Sequence, residues 1–176
     1  MTVDMGKLTF VPVADAPELV GEPVRRYSRD GLWVSEIDPD LADTAAFCAH
    51  YEIGLDISAN CVVVEAKRAE RVWYAACVVL ATTRADVNGI VRKHLGARKI
   101  SFAAMDTAVS LTGMEYGGIT PIGLPADWPI LVDVNVVGQQ RVIIGSGIRG
   151  SKLLAATEVL ASLPNVEVLD ITMRRT

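Results

Sequence analysis

The sequence predicts a single α/β domain built on a mixed β-sheet. Segments rich in β-branched residues alternate with segments that carry helix caps and apolar residues at helical spacing. No linker, internal repeat or low-complexity tract divides the chain. With 176 residues, 51% hydrophobic and 22% charged, it is long and apolar enough to bury one core.

Residues 8–13 read as a short strand, 17–26 as a helix and 32–37 as a second strand. Asp38 followed by Pro39 is a helix start, a capping carboxylate with proline at the first helical position. That helix is expected to run through Leu41, Ala45, Phe47 and Cys48 to about Tyr51. Residues 59–65 and 72–80 are β-rich, and the charged stretch between them predicts a hairpin or meander. Asp86 caps a helix whose apolar positions include Val87, Ile90, Val91 and Leu95, and Gly96 ends it. A strand at 99–102 and a helix at 104–111 lead into a long loop at 112–125. Strands at 130–133 and 141–145, a helix at about 155–163 and a strand at 167–171 follow. Residues 151–154 fit either a strand or the start of a helix.

Composition narrows the function classes. Mean hydropathy is +0.32, yet the longest strongly apolar run, residues 74–81, falls far short of the ~20 residues that span a bilayer. The first residues include Asp4 and Lys7 and no signal-like apolar core, so a cytoplasmic protein with no membrane partner is expected. Cys48, Cys61 and Cys77 are odd in number and lack CxxC spacing, so they read as buried thiols rather than as disulfides or zinc ligands. His50 and His94 have no metal-ligand spacing and read as surface residues; neither a metal nor a cofactor is expected. The net charge of −4 requires any RNA contact to use a local basic patch. Arg92, Lys93, His94, Arg98 and Lys99 could form one, and they equally fit a solvated helix end.

Two glycine-rich turns carry the most information. The loop at 113–125 holds four glycines and two prolines, a costly choice because glycine loses the most backbone entropy on folding. It reads either as a turn whose N–H groups bind an anion or carbonyl, or as a structural loop. The second turn, Gly145-Ser146-Gly147-Ile148-Arg149-Gly150, matches GxGxxG after a strand, with Asp170 about 20 residues on. NAD binding is therefore one reading of residues 145–150. It ranks low, because a dinucleotide half-domain needs further parallel strands and only six residues follow Asp170. Ser146 lacks the spacing of a GxSxG elbow. In a strand, Asn60, Val62 and Val64 share one face and Cys61 and Val63 the other, so Cys61 is expected to face away from a site built on Asn60.

The order of several segments is that of a known family. They are Leu95-Gly96-Ala97-Arg98-Lys99, Ser101-Phe102-Ala103-Ala104, Thr112-Gly113 and Gly117-Gly118-Ile119-Thr120-Pro121-Ile122-Gly123-Leu124-Pro125, followed by Ile130-Leu131-Val132-Asp133 and Gly145-Ser146-Gly147. Over roughly residues 30–172 the chain resembles the YbaK/EbsC family of aminoacyl-tRNA deacylases, which is related to the editing domain inserted in bacterial prolyl-tRNA synthetases. The resemblance implies a barrel-like mixed sheet flanked by helices, with residues 31–176 as the editing domain; residues 1–30 lie outside it and are expected to form an N-terminal extension packed on the domain. It implies hydrolysis, in trans, of the ester joining a wrong amino acid to the 3′-terminal adenosine of a tRNA. The tRNA 3′ end is the implied partner, and a synthetase a second one.

The implied site lies at the junction of residues 117–121 and 145–147. Gly117 and Gly118 would act there through their backbone N–H groups. Ile119, Thr120, Pro121, Gly145, Ser146 and Gly147 would hold the substrate. The family carries a functionally important lysine in a strand motif like K-[ST]-L-V. Aligned to Asn60-Cys61-Val62-Val63, that motif puts Asn60 at the lysine position, where an amide can donate a hydrogen bond but carries no charge. Asn60 is thus a catalytic candidate, with Lys67 a weaker substitute for the missing cation. Lys152 stands where related sequences often carry an acidic or small polar residue; it is a substrate-binding candidate that alters the pocket or brings charge to the RNA end. The alternative is a module that binds an aminoacyl-adenosine, a nucleotide-like ligand or tRNA without hydrolysis.

Overall fold

The structure, a computed structural model, describes residues 1–27 and 30–173. The chain opens with an antiparallel pair, β1 (Val3–Met5) and β2 (Leu8–Pro12). A short helix α1 (Glu22–Arg25) precedes β3 (Leu32–Glu36), and α2 (Thr44–Tyr51) precedes the long hairpin of β4 (Ala59–Arg68) and β5 (Arg71–Leu80). Then come α3 (Arg92–His94), β6 (Lys99–Phe102), α4 (Met105–Thr112), β7 (Ile130–Asp133) and α5 (Val134–Val137). Strands β8 (Arg141–Gly145) and β9 (Ser151–Ala156), helix α6 (Thr157–Ala161) and strand β10 (Val166–Leu169) complete the described elements.

The strands form two five-stranded sheets, ordered β1-β2-β3-β9-β8 and β10-β7-β5-β4-β6. A parallel bridge from Ser58 to Ile143 joins them just ahead of β4, so the sheets curl into a half-barrel around a shared core. Pairing is mixed, as expected: β7 runs parallel to β5 and β10, and β4 runs antiparallel to β5 and β6. Strand β5 lies between β7 and β4 with residues 75–80 all buried. Burial on both faces is why that stretch reads as an unbroken apolar run.

Val78, Leu80, Val132, Ile144 and Leu153 meet in the main core. Phe10, Phe47, Ile143 and Leu154 pack together beneath α2. The helical turns from Val87 to His94 cover the second sheet, setting Val87 and Val91 against Val64, Val79 and Leu131. Burying each such side chain contributes ~1.5–3 kcal/mol. Of the first thirty residues, Phe10, Val13, Val20 and Val24 are buried in these cores, and β2 pairs with β3.

Two sequence expectations change and one open choice is decided. The helix over 17–26 is a 3-10 turn (Pro17–Leu19) followed by the four residues of α1. Gly21 separates them, and its N–H donates to Ser146 O at 2.9 Å instead of joining a helical ladder. The helix from Asp38 to Tyr51 breaks in two. The Asp38 carboxylate does cap, accepting from Asp40 N at 3.0 Å, but it caps only the turn Pro39–Leu41. The Ala42 carbonyl is drawn away to Lys152, and α2 starts afresh after Asp43. Last, residues 151–154 are strand, paired antiparallel with β3 and β8. Residues 145–150 therefore join two antiparallel strands and open no helix. The NAD reading fails on this point, because a dinucleotide fingerprint needs a helix N-terminus to meet the pyrophosphate. No helix among the described residues is long and apolar enough to cross a membrane.

Candidate active site

A cleft of about 570 Å³ opens where the two sheets meet. Asn60 and Val62 of β4 line it, with Asp43 and Thr44 at the start of α2, Gly117 and Ile119 of the long loop, and Gly145 and Lys152 of β8 and β9. That volume lies within the range of small-ligand sites, ~300–1,000 Å³.

Asn60 is half-buried, and its Oδ1 accepts from the Thr44 hydroxyl at 2.6 Å. With the carbonyl oxygen engaged, the NH₂ group is left as the donor for a ligand. Lys152 also borders the cleft and is only 7% exposed. Its Nζ donates to Ala42 O at 2.9 Å and lies 5.2 Å from the centre of the Phe47 ring. Burial holds its pKa below the ordinary lysine value; Cys48 and Asp43 pull it back up and Arg149 adds to the lowering. Cys61 borders the cleft, but it packs on the main core while Val62 and Val64 pack on the second sheet's outer cluster, as strand alternation expects. Burial, with a further contribution from Cys77, pushes the Cys61 thiol pKa up, so it stays protonated and is a poor nucleophile.

The two glycine-rich turns pack backbone against backbone. Gly147 N donates to Gly118 O at 2.7 Å, and Glu115 N to Gly147 O at 3.0 Å. A Cβ on Gly118 would lie 2.6 Å from the carbonyl carbon of Ile148, and one on Gly145 would lie 2.6 Å from Gly118 O. Only glycine permits this approach. Arg149 clamps the junction: its N–H donates to Glu115 Oε1 at 2.9 Å, its Nη1 to Tyr116 O at 3.1 Å and its Nη2 to Pro39 O at 3.0 Å.

The sequence model of the aminoacyl-tRNA editing domain family matches residues 38–163. The chain belongs to that family. A curated relative from Enterococcus faecalis, "Putative Cys-tRNA(Pro)/Cys-tRNA(Cys) deacylase EbsC", is 27% identical over 82 residues, 47% of this chain and 50% of the relative. The chain thus spans about half the length of the curated relative it matches. The solved structure of "a putative trans-editing enzyme for prolyl tRNA synthetase" superposes with a TM-score of 0.70 at 19% identity, covering 81% of this chain and 87% of the other. The crystal structure of a hypothetical protein gives 0.66 at 20% identity, covering 75% and 85%. These two share the fold.

In this editing domain, Asn60, Gly117, Ile119, Gly145 and Lys152 come together at the cleft. The other sequence candidates sit behind it. Gly118 N is committed to Glu115 O at 2.9 Å, and Gly147 N to Gly118 O. Ser146 is fully buried and bonds Ser151 Oγ at 2.7 Å. Thr120 is also fully buried, its N–H directed to Met114 Sδ. Pro121 lines a separate, smaller cavity with Tyr27 and Leu124. Gly117 and Ile119, which line the cleft, are outside these turn-holding bonds. Sequence reasoning missed Thr44, which orients Asn60, and the Glu115–Arg149 clamp. Arg149 stood inside the GxGxxG string, but its partners lie 33 to 110 residues away and no local pattern reveals them.

Proposed function

We propose that this editing domain hydrolyses the ester between a misattached amino acid and the terminal ribose of a tRNA. The observation that carries the reading is the convergence of an oriented amide, Asn60, and a buried cation, Lys152, on a cleft walled by a glycine-rich loop. Attack of water on the ester carbonyl develops an oxyanion, and fixed donors stabilise it without a metal. Asn60 Nδ2 and the Gly117 and Ile119 amides are the donors assigned to it. Lys152 supplies, from β9, the positive charge that Asn60 lacks at the family's lysine position. A ribose hydroxyl of the substrate helps position the water. The water oxygen bonds to the carbonyl carbon, the ester C–O bond breaks, and the departing ribose oxygen takes the proton. The products are a free amino acid and an uncharged 3′ end.

Incubation with a panel of mischarged aminoacyl-tRNAs tests the reading: accelerated release of at least one amino acid is expected, and no acceleration for any of them rejects it. The uncharged Asn60 favours one second reading, a module that holds aminoacyl-adenosine without cleaving it. Calorimetry with a non-hydrolysable aminoacyl-adenosine analogue separates the two, since the binder gives heat without turnover.

A further inference from the structure

The cleft continues into a groove along the β4–β6 ribbon. A hollow of about 680 Å³ adjoins the cleft and shares Asn60 and Val62 with it. Phe102 stands in this hollow with 66% of its surface exposed. The hollow in turn shares Asn88, Ile100 and Ser101 with one of about 410 Å³. That one merges, through Lys67, Arg92, Arg98 and Lys99, with a third of about 740 Å³. Strand register gives the scale. Phe102 pairs with Val64, four residues beyond Asn60 and on the same face of β4; Lys99 pairs with Lys67, seven beyond it and on the other face, so the far hollow reaches round the end of the ribbon. At ~3.3 Å per residue these points lie about 13 and 23 Å along β4 from Asn60.

The far end is cationic. Lys67, Arg68, Arg92, Arg98 and Lys99 line it, in a chain whose net charge is −4. Glu65 lines the neighbouring hollow and pairs with Lys67 at 3.2 Å, and Glu70 sits in the β4–β5 turn two residues after Arg68. Main-chain carbonyls tether two of the guanidinium groups: Arg92 Nε donates to Asn88 O at 2.8 Å, and Arg68 Nη1 to Gly96 O at 3.1 Å. Each is held by one nitrogen and keeps others for phosphate oxygens. An exposed ring in a groove that ends in fixed cations is the combination that binds single-stranded nucleic acid: bases stack on the ring and phosphates meet the charges.

Resting on the deacylase reading, we propose that this groove carries the tRNA. Its single-stranded 3′ end crosses Phe102 on the way into the cleft, and the backbone of the adjoining duplex rests on the five cations.

Fluorescence anisotropy tests this, using a fluorescein-labelled uncharged tRNA and the same tRNA trimmed of its single-stranded 3′ end, each titrated at several salt concentrations. The variants are Phe102→Ala and the pair Arg98→Glu with Lys99→Glu; all three positions are exposed, and circular dichroism confirms folding. The charge-reversed pair is expected to weaken both RNAs about tenfold or more and to flatten the salt dependence. Phe102→Ala is expected to weaken the intact tRNA about fivefold or more and to leave the trimmed one unchanged. If the reversed pair misfolds, Arg98→Gln with Lys99→Gln takes its place with the same expected direction. Wild-type protein that binds neither RNA, or variants that bind both like wild type, would overturn the inference. So would polyglutamate binding as tightly as tRNA, which assigns the patch to an acidic protein. RNA binding lost in the variants while the wild type releases no amino acid keeps the inference and removes the deacylase reading. Amino-acid release with RNA binding unaltered in the variants does the reverse.

Discussion

Lys152→Met removes the buried ammonium and keeps an unbranched stem of similar length. In the wild type that ammonium donates to Ala42 O at 2.9 Å and lies 5.2 Å from the Phe47 ring centre. A charged hydrogen bond contributes ~1.5–3 kcal/mol and a cation–ring contact ~0.5–2 kcal/mol. Opposing them is the desolvation of a buried ion, several kcal/mol. Burial is the largest influence on Lys152, and the net direction of its pKa is downward, so desolvation outweighs the attractions. Below the folded-state pKa both the folded and unfolded chains carry the proton, and the penalty is fully present. Between that pKa and the ordinary lysine value only the unfolded chain keeps it, so the Lys152 contribution to stability rises with pH. Urea unfolding of both proteins at a series of pH values measures this. At pH 7 the variant is expected within about 2 kcal/mol of wild type, since the lost attractions and the lost penalty offset each other. From pH 7 towards pH 10 the wild type should gain on the variant. A gap that moves the other way would mean that partners hold the ammonium favourably and that burial does not dominate at Lys152. Deacylation by the variant is expected to fall about tenfold or more, the worth of one charge-assisted contact.

Other substitutions probe single contacts. Thr44→Val removes the hydroxyl that donates to Asn60 Oδ1; turnover should fall about fivefold with the melting temperature nearly unchanged, and an unaltered rate would show that Asn60 needs no such partner. Gly118→Ala forces a Cβ to within 2.6 Å of the Ile148 backbone; a loss of ~1–3 kcal/mol and a melting point several degrees lower are expected by calorimetry, whereas wild-type stability would contradict the close packing of the two turns. Thr120 Oγ1 is buried without a hydrogen-bond partner among the described residues. Thr120→Val should therefore raise stability by about 1 kcal/mol or more and leave deacylation unaltered; a lower melting point would show that the hydroxyl is satisfied after all.

Much of the fold was legible because its signals are local. The β-branched runs of β4 and β5, the Asp86 cap, which accepts from Gly89 N at 3.0 Å, and the turn at Gly96 with φ +67° all stand where sequence chemistry puts them. The glycines of the 112–125 loop marked an unusual backbone, but whether they met a ligand or another turn was left open; at Gly118 the close neighbour is the Ile148 backbone. What local signals misjudged was decided by distant contacts. The helix expected from Asp38 to Tyr51 breaks because Lys152, 110 residues from Ala42, takes the Ala42 carbonyl. GxGxxG looked like a nucleotide turn because spacing is blind to whether a strand or a helix follows; the pairing of β9 with β3 decided it. In the candidate site, Asn60 and Gly117 were named from the resemblance, and both line the cleft. The burial of Lys152 and the orienting role of Thr44 arise only when β9 and α2 pack beside β4.

Amino-acid release from a panel of mischarged tRNAs, followed in parallel for wild type and Asn60→Ala, tests the proposed chemistry most directly. The expected result is accelerated release of at least one amino acid by the wild type and a rate lower by roughly 10²–10³ in the variant. Equal rates for the two proteins, or none above the spontaneous rate, would contradict it.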